Sequence, residues 1–234
     1  MCLSTEVSLA TGTALVTIGG HCARTAWRRN RAYVPLAVVP VLFGVQQLFE
    51  AGVWVGLDRA SPVLVKTAAL GFLFFAAALW PCWLPIAAAA IEEQRAKRKL
   101  FYAFAWVGVG FALTVYLPVV ARANDGFRVV PVRHSLRYDV SGVPTGVGAL
   151  GALGQALYLA AVSVPPLLSQ DRRVRVLGAG LVASAAVSEL VYWYAFTSVW
   201  CFFAALLSLY LAFVVHRVPE PSDTRCSANA LAAP

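Results

Sequence analysis

VVPVLFGVQQLFEAGVWVGL, residues 38–57, is a run of 20 residues in which Gln46, Gln47 and Glu50 are the only strongly polar side chains. A helix of that length rises about 30 Å, the thickness of a bilayer's hydrocarbon core. At helical spacing Phe43, Gln47, Glu50 and Trp54 share one face, with Gln46 beside them. An amide and a carboxylate on one face of an otherwise greasy helix cannot comfortably meet lipid, so that face points into a bundle.

Moving outward from this stretch, the same pattern repeats. Apolar runs extend over Val7 to Cys22, Tyr33 to Leu57, Pro62 to Ile91, Leu100 to Ala121, Val143 to Leu168, Val174 to Phe196 and Val199 to Val215. The chain is 60% hydrophobic and 13% charged, more apolar than a soluble domain of its length would bury. The runs are continuous rather than alternating, which favours helices over barrel strands. The expected fold is therefore an all-α integral membrane protein, a seven-helix transmembrane domain over residues 1–217, followed by a disordered cytoplasmic tail, 218–234. The first run is short and rich in Thr and Gly, and with no basic stretch ahead of it a cleaved signal peptide is not expected.

The net charge of +8 would suggest nucleic acid in a soluble protein. Here the Lys and Arg residues cluster between apolar runs, in RTAWRRNR, EEQRAKRK and DRRVR, so the bilayer rather than nucleic acid is the expected partner. Only Arg59, Lys66, Arg122, Arg128, Arg133 and Arg137 fall on the other side. That asymmetry predicts a plasma-membrane protein with its N-terminus outside and its C-terminus in the cytoplasm.

One loop is long. Residues 122–142 join the fourth and fifth runs on the outer side, and VRHSLRYDV within it alternates, predicting a strand or hairpin that begins at FRVV. Its covered face carries His134 and Tyr138, which would lie over the bundle's mouth. Beneath it, Glu50 and Glu189 are the carboxylates placed well inside runs, each about 10 Å below the outer boundary. Lys66 is the nearest cation by depth, and Trp54, Tyr192, Trp193, Tyr194 and Trp200 fall within a turn or two of the outer ends. Two readings stand: a polar pocket formed by Gln46, Gln47, Glu50, Lys66, His134 and Glu189, or polar side chains that only fasten helices together. The aromatics fit either an interfacial belt or a cage for an ammonium ligand. Glu92 and Glu93 are expected to be solvated loop acids on the opposite side.

Among the five cysteines, Cys2 and Cys201 share the outer, oxidising side, so a bridge between them fits the topology, as does a reactive or ligating Cys2. No CxxC, HExxH or phosphate loop is present, and the last run holds no Lys for a retinal Schiff base. In WPCWLP, Pro81 and Pro85 predict a kink. Tyr116, Gln155 and Tyr158 add isolated polarity further along.

MCLSTEVS at the start, FGVQQLFEAGVWVGL, HSLRYD and SVWCFFAALLS together resemble an uncharacterised bacterial multi-pass membrane family. Its members open Met-Cys-Phe-Ser and carry His-Gln or Gln-Gln followed by Glu in the second span. Here Leu3 stands where Phe is usual and Gln46 where His is frequent, which weakens any metal site that the resemblance implies. The resemblance draws attention to Cys2, Gln47, Glu50, His134, Tyr138, Trp200 and Cys201 and supplies no reaction.

Three function classes follow. The first is a sensor or carrier that binds a small molecule, amine or lipid in an outward-facing pocket. The second is a membrane-embedded enzyme acting on a lipid-like substrate through Glu50, Glu189 and His134, with or without a metal. The third is a structural or assembly subunit. Neither a cofactor nor an oligomeric state follows from the sequence.

Overall fold

A computed structural model describes residues 4–124, 127–132, 135–140, 151–192 and 196–217. Helices dominate. In chain order they are α1 (Thr5–Arg29), α2 (Arg31–Asp58), α3 (Pro62–Ile91), α4 (Arg95–Ala121), α5 (Gly151–Leu168), α6 (Arg172–Tyr192) and α7 (Phe196–His216). α2, α3, α4 and, from Val199 onward, α7 are long and apolar enough to cross a membrane. Large apolar side chains such as Val63, Trp106, Leu153 and Leu190 lie exposed on the outside, as a lipid-facing surface requires.

Each helix packs on its chain neighbour, and α7 returns to touch both α1 and α2. The boundaries differ from the apolar runs where charge is helical. α1 runs on through the basic residues to Arg29, and α4 begins at Arg95 rather than Leu100, because Arg and Lys favour helix and keep their charges in water. Phe196 opens α7 instead of closing α6. The tail 218–234 lies outside the described residues.

α1 starts where Ser4 accepts the backbone N–H of Val7, a helix cap. The Ser4 hydroxyl and a backbone N–H hold the Glu6 carboxyl below the usual range, as suits an acid in the first turn. The buried stripe of α1 is Ser8, Gly12, Leu15, Gly19, Cys22 and Ala26. A Cβ on Gly12 would come within 2.9 Å of the Gly44 carbonyl oxygen, so α1 and α2 touch backbone to backbone.

Both α3 and α4 widen into one stretch of π-helix, at Phe74–Leu79 and Ala112–Tyr116. Each precedes a proline, Pro81 or Pro118, by two residues. A proline ring collides with the carbonyl four residues back, and the wider turn moves that carbonyl aside. The widening thus sits where the sequence predicts a kink. Trp80 N–H bonds the Phe75 carbonyl in the π register, so Pro81 deprives the next carbonyl, that of Ala76, of its donor. The Tyr158 hydroxyl supplies one at 2.5 Å. Gly108 of α4 sits against this point, where a Cβ would meet Cys82 N at 2.6 Å and collide with the Pro81 carbonyl.

The long loop forms an antiparallel hairpin, β1 (Phe127–Val132) and β2 (Ser135–Val140), with Val129 opposite Tyr138 and Pro131 opposite Leu136.

Candidate functional site

The polar face of α2 is wholly interior: Gln46, Gln47 and Glu50 are all 0% exposed. Both ends of the Gln46 amide are used. Its Oε1 accepts the Trp80 indole N–H at 2.7 Å and its Nε2 donates to Cys201 Sγ at 3.3 Å, tying α2 to α3 and α7. One turn earlier Phe43 stacks on Trp80, with ring centroids 3.8 Å apart. Gln47, the next residue, has no hydrogen-bond partner for either amide atom among the described residues. Glu50 follows one turn on, close enough to Cys201 for the two groups to interact electrostatically. Trp54 is half-buried, and its indole N–H likewise meets no acceptor among the described residues.

The hairpin closes this region from above. Tyr138 is buried and stacks on Phe72 at 5.1 Å, and Leu136 is buried beside it. Both belong to one apolar cluster with Val53, Ala69 and Cys201. The alternate residues Arg137 and Asp139 pair at 3.0 Å on the exposed face. Period-two alternation therefore places the covered face as expected at Tyr138. His134 lies outside the described residues.

On the inner side of the cluster, Tyr158 packs edge-on against Trp200 and Phe111. Trp200 donates its indole N–H to Ser184 Oγ at 3.1 Å, which joins α7 to α6.

Other residues expected in the pocket go elsewhere. Glu189 does not join Glu50: it is exposed between α5 and α6, where Gln155 Nε2 donates to it at 3.2 Å. Lys66 donates to Asn124 at 2.7 Å near the root of the hairpin. Trp193 and Cys2 lie outside the described residues, as does the side chain of Tyr192 at the end of α6. Cys201 is a free, buried thiol. Glu92 is no solvated acid. It is 2% exposed and accepts backbone N–H groups from Gln94 and Gln170, joining the α3–α4 turn to the α5–α6 turn.

Sequence reasoning missed Trp80 as the partner of Gln46 and Tyr158 as the cap of Ala76. A signal existed for the first: an indole in mid-helix must find an acceptor, and Gln46 offers one from a neighbouring helix. Among the described residues no three His, Cys, Asp or Glu side chains gather as metal ligands would.

A family model matches residues 1–226, a span that includes every described helix and the hairpin; its description is a family of unknown function, DUF6629. The chain belongs to that family. No curated protein and no solved structure matches it. Membership in DUF6629 carries no activity, so chemistry has to be read from the site. The face holds the Glu50 carboxyl, and beside it an amide with both ends open among the described residues and an indole N–H can donate to and accept from a small polar molecule. In such low-dielectric surroundings each of those bonds is stronger than in water.

Proposed function

We propose that this chain is a seven-span membrane protein, N-terminus outside and C-terminus in the cytoplasm, that binds a small polar molecule beneath its outer hairpin as a sensor or carrier. Gln47, Glu50 and Trp54 form the binding face, Gln46 with Trp80 and Cys201 holds α2 in register, and Tyr138 with Leu136 roofs the site. The observation that carries this reading is Gln47. A fully buried amide with no protein partner among the described residues is costly, and binding sites are where such costs recur. An enzyme that needs Glu50 and Glu189 in one centre is disfavoured by the position of Glu189 between α5 and α6.

The test is native mass spectrometry of the protein purified from its own membranes in mild detergent, beside Gln47→Leu. The wild type should release a small molecule on activation that Gln47→Leu does not carry. Equal small-molecule content in the two proteins would overturn the reading.

A further inference from the structure

Separating Glu189 from Glu50 leaves a second acidic place in the molecule. Gln155, Leu159, Ser163 and Leu167 of α5 and Val182 and Glu189 of α6 line a groove of about 410 Å³ on the outside of the bundle. Among the described residues the partner of Glu189 is the neutral amide of Gln155, not a Lys or Arg. Ser163, 4% exposed, lines the same groove, and its hydroxyl has no partner among the described residues. Ionisable side chains on membrane-facing helices are expensive and call for a function.

The lining is ordered along its length. The acid and the amide lie toward the α6 C-terminus, whereas the rest, Ser163 apart, is apolar: Leu159, Val164, Leu167 and Val182. Gln155 to Leu167 spans about 18 Å of helix at about 1.5 Å per residue. Among the described residues the groove's lining includes one acid and no base. Its complement carries one positive charge, hydrogen-bond donors and a single long apolar chain. A phospholipid amine fits less well, because its phosphate would approach the Glu189 carboxylate.

We propose that the α5–α6 groove binds a long-chain primary amine, its ammonium group on Glu189 and Gln155 and its alkyl chain along Leu159 to Leu167. This site is separate from the one beneath the hairpin and does not depend on it.

The probe is hexadecylamine bearing a diazirine near the end of its chain, photolysed with the full-length protein in phosphatidylcholine nanodiscs and mapped by peptide mass spectrometry. Adducts are expected on α5 and α6 around Val164, Leu167 and Val182, displaced by excess hexadecylamine and not by hexadecanol. Glu189→Gln, an isosteric change at an exposed side chain, should weaken labelling roughly tenfold or more. Ala186 of α6 also lines the groove, so Ala186→Trp should abolish labelling by filling it, and Glu93→Gln should retain it. Equal competition by hexadecanol would overturn the proposal, as would undiminished labelling of Glu189→Gln. Adducts confined to other helices, or a groove closed by a second copy crosslinked through α5, would also overturn it.

Discussion

Replacing Gln46 by Leu removes the acceptor of the Trp80 indole and the donor to Cys201, leaving a buried N–H without a partner. That is expected to cost about 1–3 kcal/mol. Replacing its neighbour Gln47 by Leu removes no hydrogen bond among the described residues and relieves a buried polar group, so in protein stripped of bound small molecules stability should be unchanged or raised. Thermal unfolding of the two variants in the same detergent checks the contrast, and equal loss in both would contradict the division of roles between the two amides. Glu92 makes a third case. Glu92→Ala strips an acceptor from two backbone N–H groups in different turns and should destabilise by about 2 kcal/mol or more, whereas Glu93→Ala, at an exposed position, should stay within about 0.5 kcal/mol.

At the scale of the element, the bond from Tyr158 to the Ala76 carbonyl exists because Pro81 lacks a backbone N–H. Tyr158→Phe should therefore destabilise the protein in its native background by about 1–3 kcal/mol. In a Pro81→Ala background the new N–H can reach Ala76, and the same Tyr158→Phe change should cost much less. A double-mutant cycle on thermal stability reads this coupling directly, and additive effects would refute it. Gly108 tests the same junction from α4. Gly108→Ala forces a Cβ into the Pro81 carbonyl and should cost about 1–3 kcal/mol or more, while Gly110→Ala, with nothing within 4 Å, should gain up to about 1 kcal/mol from helix propensity.

For the whole molecule, the proposed topology predicts that an impermeant maleimide applied to intact cells labels Cys2 and spares Cys226, with Cys226 labelled only after permeabilisation. Labelling of Cys226 in intact cells would invert the proposed orientation. The helices and the hairpin were legible in the sequence because hydrocarbon imposes a length and a surface strand a period. The burial of Glu50 was legible too, because a carboxylate on an apolar helix turns away from lipid. The direction of Glu189 was not, because a polar stripe looks alike whether it faces a bundle centre or a groove between two neighbours. Nor was the burial of Glu92, which depends on Gln170 arriving from a distant turn. Trp80 and Gln46 stand 34 residues apart, and only the packing of α2 on α3 reveals that they meet.

The backbone contact between α1 and α2 bears on how the chain enters a membrane during synthesis. α1 is not among the helices apolar enough to cross by composition, and its inward stripe is built largely of small residues. Such a segment gains little by leaving the translocon alone. Its gain comes when Gly12 and Gly19 close on Gly44 and Val41, so α1 and α2 should partition together as a helical pair. Biogenesis, rather than the stability of the finished fold, would then be the first thing lost when bulk is added at Gly12 or Gly44. In the proposed seven-span topology, the sign of that loss would be an N-terminus stranded on the wrong side while the later helices insert normally.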